Sequence, residues 1–120
     1  SNTEEKTEVE EEVNKASPLD AAIYFDNKKT VPKASEKAKI AAVATYLKAN
    51  PETKIIIVGH LDPSEEAVKF LGKRRGLAVE KELKMQGVSE TQTEYTTAET
   101  DEKVSDTDAS QNQRVTFIVK

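Results

Sequence analysis

The chain has 120 residues, enough for one domain with a modest core and too few for two. It has no cysteine, which excludes disulfides, thiol catalysis and cysteine-based metal sites. Its formal net charge of −4 is unevenly spread, because residues 1–17 and 99–108 each carry −4 and the remainder therefore carries +4. A mildly basic body suits an anionic polymer, although ordinary solvated lysines produce the same balance.

The first 17 residues are rich in glutamate and poor in large apolar side chains. This composition indicates an acidic, disordered tail or linker, so the folded domain is expected to occupy residues 18–120. The sequence contains neither a signal peptide nor a transmembrane run. Membrane association is therefore expected only through a segment outside this sequence.

Two elements are predicted before the middle of the chain. Residues 22–25 form a short strand with Ile23 and Phe25 toward the core, and residues 26–30 then turn the chain. Residues 32–50 place apolar side chains at helical spacing and end at an Asn-Pro pair, which predicts a scaffold helix.

A second strand and helix meet at a polar corner. The β-branched run 55–58, followed by a glycine, predicts a buried strand that ends at residues 59–61. Asp62 before Pro63, with Glu65 three positions on, is the signature of a helix N-terminus with a capping box. A helix is therefore expected to begin just after Asp62.

Arg75 falls inside the apolar stripe of that helix and keeps its charge when buried, so it needs a protein carboxylate or an anionic ligand. We expect Arg75 to be at least partly buried and Arg74 to be exposed. One straight helix would place Asp62 about 20 Å from Arg75, so a shared ligand requires a loop after Asp62 and a helix start nearer Ala67. Without a ligand, Glu82 or Asp62 is the expected partner.

The last third predicts two more strands. The second helix closes at Gly87, residues 91–97 alternate as a third strand, and residues 114–119 alternate cleanly as a fourth. The order is β-α-β-α-β-β, an α+β two-layer sandwich with two main helices on a four-stranded mixed sheet. Both helical crossovers should be right-handed, and the last strand is expected to be antiparallel.

Several function classes lack support in the sequence. His60 is the only histidine, and no serine elbow or phosphate-binding glycine loop accompanies it, so neither an enzyme nor a metal or other cofactor is expected. Nucleic-acid binding is not expected, because the basic run 69–75 is interleaved only with Phe70. Phe70 and Leu77 lie on the outer side of the helix, where they either form a second contact or cover the edge of the sheet.

Six short motifs occur in a defined order and cover nearly everything after Ala16. They are Ile23-Tyr24-Phe25-Asp26, Gly59-His60-Leu61-Asp62, Leu71-Gly72-Lys73-Arg74-Arg75, Ala78-Val79, Gly87-Val88 and Asn112-Gln113-Arg114-Val115. In this order they resemble the OmpA-like peptidoglycan-binding domains.

The resemblance implies a non-catalytic module that anchors to the cell wall by binding the diaminopimelate-containing stem peptide of peptidoglycan. In that family the Asp and Arg of these motifs hold the diaminopimelate, which implies that Asp62 accepts its ammonium and Arg75 grips its carboxylate. Asn27 and Arg114 are the further ligand-binding residues implied. The expected location is the periplasmic side of the outer membrane or the cell envelope; no oligomeric state is implied.

The sequence departs from the family pattern at the same corner. The interval from Asp62 to Arg75 is shorter than usual, Leu61 stands where the family usually has Thr, and Val68 replaces an Asn that often helps to hold the ligand. A second hypothesis therefore stays open: an OmpA-like fold that has lost peptidoglycan binding and serves as a protein-interaction or spacer module.

Overall fold

The computed structural model describes residues 17–120, so the predicted acidic tail lies outside the described residues except for Ser17. The fold is a two-layer α+β sandwich with two helices on a four-stranded mixed sheet. The strands and helices are β1 (Ile23–Tyr24), α1 (Lys37–Ala49), β2 (Ile55–His60), α2 (Leu71–Met85), β3 (Thr93–Glu99) and β4 (Arg114–Val119). Within residues 17–120, no helix has the length and apolar character needed to cross a membrane.

The strands lie in the order β1-β4-β2-β3. β2 and β3 are parallel, whereas β4 runs antiparallel to both β1 and β2. The mixed sheet and the antiparallel last strand confirm the predicted fold. Because β4 lies between β1 and β2, the α1 crossover joins two strands that are parallel but not adjacent.

One hydrophobic core lies between the sheet and both helices. The alternate residues Ile55 and Ile57 of β2 face this core, and α1 and α2 close it from the other side. The core also takes fully buried side chains from β1, both helices and β4: Ile23, Ile40, Val43, Leu47, Val79, Leu83 and Val115. Burial of this apolar surface is the main driving force for the fold.

Both helices begin later than the sequence predicts. Pro32 forms a bridge with Phe25 that keeps the chain extended, so α1 starts at Lys37, after a short 3-10 turn at Ala34–Glu36. After Asp62 a 3-10 turn of only three residues forms, and α2 starts at Leu71. The expected helix start just after Asp62 is therefore wrong, and the loop required for a shared ligand is present.

β2 and α2 approach unusually closely at the end of β2. A Cβ atom built on Gly59 would lie 1.7 Å from the carbonyl oxygen of Gly72. Only a residue without a side chain permits this contact, which positions the first turn of α2 over the end of the strand. Arg75 follows three residues later and so lies beside the His60 carbonyl.

We predict opposite outcomes for two glycine-to-alanine changes. Gly59→Ala should lower the free energy of unfolding by about 3 kcal/mol or more, because the clash is with backbone. Gly76→Ala should leave stability unchanged or raise it by up to about 1 kcal/mol, since a Cβ there meets its nearest atoms at 3.8 Å and alanine favours the helix interior. Urea denaturation measures both, and equal effects would contradict the close contact.

Candidate functional site

The corner between β2 and α2 is shaped by the predicted capping box. The Asp62 side chain accepts a hydrogen bond from the Ser64 amide, and the Glu65 carboxylate accepts one from the Asp62 amide, both at 2.9 Å. The box closes a 3-10 turn, Pro63–Glu65, instead of opening a long helix. The side chain of Glu65 therefore points into the protein, where it is fully buried.

The inward Glu65 carboxylate meets the guanidinium of Arg75. Nη1 of Arg75 donates to Oε1 of Glu65 at 2.9 Å, and Nη2 donates to Oε2 at 2.6 Å. These are two parallel charge-assisted hydrogen bonds, the strongest geometry available to this pair. Both side chains have 0% of their surface exposed.

The remaining donors of Arg75 are also used. Nε donates to the Lys29 carbonyl at 2.9 Å, Nη1 donates to the His60 carbonyl at 3.0 Å, and Nη2 donates to the Asp26 carbonyl at 3.2 Å. A guanidinium has five N–H groups, and all five are bonded within the chain. No donor of Arg75 is left for a ligand in this arrangement.

Glu65 is held equally firmly. Besides Arg75 and the Asp62 amide, its carboxylate accepts a hydrogen bond of 2.5 Å from the Lys28 amide, and Lys28 has a left-handed backbone with φ of 60°. Burial alone would raise the pKa of Glu65. The hydrogen bonds from Arg75 and the two amides outweigh that effect and hold its pKa below the usual value.

The predicted burial of Arg75 is correct, but its predicted partners are not. Arg75 is buried against a carboxylate and Arg74 is exposed, which confirms both expectations. The expected partners Asp62 and Glu82 are wrong, because the loop 66–70 folds Glu65 back over the first turn of α2 while Asp62 turns toward Asn112. The capping box was the available signal for Glu65, since it places that side chain against the backbone of the corner.

Asp62 is buried, and both of its carboxylate oxygens accept hydrogen bonds. Its carboxylate accepts hydrogen bonds from the Ser64 hydroxyl at 2.6 Å and from Asn112 Nδ2 at 2.8 Å. Asn112 also accepts from the amides of Val104 and Ser105, so it fastens the loop before β4 to the corner. The hydrogen bond from the Ser64 side chain is the main cause of a lowered pKa for Asp62. Sequence reasoning found Asp62 but missed this role of Asn112.

The other two candidate residues have separate surroundings. Asn27 is exposed, and its side-chain oxygen accepts a hydrogen bond from Gln113 at 3.2 Å. Arg114 is mostly buried and donates to the carbonyls of Gln111 and Glu102 at 3.4 and 3.0 Å. The structure thus brings Asp62 and Arg75 together around Glu65, while Asn27 and Arg114 bond to other residues.

His60 lies buried at the end of β2. Its Nε2 is 2.8 Å from the hydroxyl of Thr116, and its Nδ1 has no hydrogen-bond partner among residues 17–120. Burial, together with the nearby positive charge of Arg114, lowers the pKa of His60 to about 4. The imidazole is therefore neutral at pH 7. The described part of the chain holds no cluster of three or more metal-ligating side chains.

Two neighbouring arginines should differ sharply in their effect on stability. Arg75→Ala leaves Glu65 buried without its partner and should cost about 3–5 kcal/mol. Arg74→Ala removes an exposed side chain from the next helix position and should change stability by less than about 0.5 kcal/mol. Urea denaturation of both variants checks this prediction; an Arg75→Ala protein as stable as Arg74→Ala would show that the buried pair contributes nothing.

The buried histidine predicts a pH dependence of stability. Because the folded pKa is about 4 and the unfolded pKa is near 6.5, the unfolded chain binds more protons between these values. Stability should therefore be fully present above pH 6.5 and fall as the pH drops toward 4, by about 3 kcal/mol. His60→Gln should flatten this part of the profile, as measured by urea denaturation across the window; an unchanged slope would refute the assignment.

Comparison with known proteins agrees with the fold. The model of the OmpA family matches residues 24–116. The crystal structure of the peptidoglycan-associated lipoprotein from Burkholderia pseudomallei is 26% identical, with a TM-score of 0.77 over 89% of this chain and 97% of that chain. No curated protein matches the chain.

Two further structures share the fold at lower identity. The C-terminal domain of Helicobacter pylori MotB is 18% identical, with a TM-score of 0.75 over 83% of this chain and 84% of that chain. The OmpA-like domain of FopA1 from Francisella tularensis is 19% identical, with a TM-score of 0.69 over 82% of this chain and 70% of that chain. Since the family model spans most of the described residues, the chain belongs to the OmpA family.

Proposed function

We propose that this domain is a non-catalytic module of the cell envelope in which Glu65 fills the position at Arg75 that a ligand carboxylate would take. While this pair is intact, the domain acts as an interaction or spacer module and does not hold diaminopimelate through Arg75. The observation that carries the proposal is the complete use of the five Arg75 donors inside the chain.

Family membership supports the envelope assignment. The chain is similar to a peptidoglycan-associated lipoprotein along almost its whole length, and to a periplasmic domain of MotB. A non-catalytic role is supported by the state of His60, which is neutral, buried and bonded to Thr116. A general acid or base needs access to its substrate and a pKa near the working pH, and His60 has neither.

A second candidate function is peptidoglycan anchoring through Asp62 and Arg75, with Asn27 and Arg114 as further contacts. The observation that favours it is that the backbone amide of Asp62 and the guanidinium of Arg75 both donate to the same carboxylate oxygen of Glu65. A diaminopimelate carboxylate that displaced Glu65 would therefore lie between these two residues, with its ammonium near the Asp62 carboxylate. This function requires Glu65 to leave a buried pair.

Removal of the internal carboxylate distinguishes the two candidates. We expect the wild-type melting temperature to be unchanged by meso-diaminopimelate. Glu65→Ala should melt lower but be restored by several degrees at saturating diaminopimelate, because a ligand that binds only the folded state stabilises it. Glu36→Ala is the matched control, since Glu36 is also buried but bonds Tyr24 and Lys39 away from the corner; it should show no ligand dependence.

Sedimentation with insoluble sacculi completes the test. The proposal predicts that the wild-type chain stays in the supernatant. The opposite result is that the wild-type chain binds sacculi, while Asp62→Asn and Arg75→Lys both fold but do not bind. That result would contradict the proposal and establish the anchoring function. Asn still caps the turn but carries no charge, and Lys keeps the charge but loses the planar fork. If Glu65→Ala does not fold alone, refolding it with saturating meso-diaminopimelate answers the same question, because a ligand that binds only the folded state restores folding.

A further inference from the structure

The outward face of α2 combines positive charge with exposed apolar side chains. We call this surface the outer stripe; it consists of Phe70, Lys73, Arg74, Leu77, Lys81, Lys84 and Met85. At about 100° per residue, its six helical members fall within an arc of about 120°. Arg75 and Val79 lie on the opposite, buried face of the same helix. The outer stripe is therefore separate from the corner around Glu65.

The charge of the outer stripe has one sign. It contains four cationic residues and no carboxylate, and Lys69 precedes it. Among the described residues, only Lys84 of these cations has an ion-pair partner, Glu80, at 3.5 Å. Glu80 sits at the border of the stripe and also accepts a hydrogen bond from Thr93. The other cations are exposed and face solvent.

Apolar side chains stand at both ends of the outer stripe. Phe70 is 64% exposed and Met85 is 73% exposed, while Leu77 lies half-buried between them. Phe70 holds a left-handed backbone with φ of 61°, a strained conformation for a bulky side chain. An aromatic side chain that is held on a strained backbone and packs against little of its own domain is consistent with a contact outside it.

The other helix lacks this pattern and serves as an internal reference. The outward face of α1 is exposed at Lys37, Ala38, Ala42, Thr45, Lys48 and Ala49. It carries cations only near its two ends and no large apolar side chain. A surface helix of this domain therefore does not need the composition that α2 shows.

We propose that the outer stripe of α2 docks the domain onto an anionic phospholipid surface. Cations beside exposed apolar side chains suit the surface of an anionic membrane, because the apolar groups insert at the headgroup boundary while the long Lys and Arg side chains reach the lipid phosphates. A soluble anionic polymer would engage the charges but leave Phe70 and Met85 in water, so the membrane fits both features. This proposal departs from the expectation that membrane association comes only from outside this sequence.

Vesicle sedimentation of the full 120-residue chain tests the proposal. The chain should bind vesicles of phosphatidylglycerol and phosphatidylcholine and not vesicles of phosphatidylcholine alone. The double change Lys73→Gln with Arg74→Gln should weaken binding by about 30-fold, since each cation near an anionic surface contributes about 5-fold. The matched control, Lys37→Gln with Lys54→Gln, removes the same charge outside the outer stripe and should bind like the wild type.

Phe70→Asn separates a membrane from a polymer. Asn tolerates the left-handed backbone, so the variant should keep its melting temperature while binding to the anionic vesicles weakens several-fold. Polyphosphate is the soluble polyanion for comparison, and the wild-type chain should bind it more weakly than it binds the anionic vesicles. Three results would each overturn the proposal: equal binding to both vesicle types, equal loss of binding in the Lys37 and Lys54 control, or vesicle binding unaffected by Phe70→Asn.

Discussion

The buried ion pair between Glu65 and Arg75 is the interaction on which this end of the molecule depends. Taking two charges out of water is costly, and the cost is offset only when geometry and hydrogen bonding are complete. Here they are complete, because the guanidinium meets two carboxylate oxygens and three backbone carbonyls. Those carbonyls belong to the loop after β1 and to the end of β2. The pair therefore joins the loop, the strand and α2 into one unit, and loss of either partner leaves the other charge buried without compensation.

The same pair determines what the corner can bind. The five N–H donors of an arginine can bond either to the protein itself or to a ligand. In this chain all five donors of Arg75 bond to the protein. Asp62 is committed in a similar way to Ser64 and Asn112. The outer stripe has the reverse character, since most of its cations have no partner within residues 17–120 and its largest side chains face solvent. On the inner face of α2 the donors of Arg75 are all bonded within the chain, whereas the outer face is available to bind a partner.

Local signals predicted much of this arrangement. The capping box and the burial of Arg75 follow from short-range spacing, and both are present. Strand β4 is also present, but its burial does not alternate as predicted, because it falls from buried Arg114 and Val115 to exposed Ile118 and Val119. The partner of Arg75 did not follow, because it depends on the loop 66–70 and on a left-handed backbone at Phe70, a residue that rarely adopts one. The link from Asn112 to Asp62 spans 50 positions, and no local pattern reports such a contact. The place of β4 between β1 and β2 is likewise a property of the whole sheet.

Glu65 occupies the guanidinium of Arg75 in the structure, and we propose that no external carboxylate replaces it. NMR of the wild-type chain during titration with meso-diaminopimelate tests it most directly, by following the Arg75 Nε–H resonance and the side-chain carboxyl carbon of Glu65. We expect a slowly exchanging Nε–H and a carboxyl carbon that keep their chemical shifts at every ligand concentration. Saturable shifts of both signals, showing that the ligand carboxylate replaces Glu65, would contradict it.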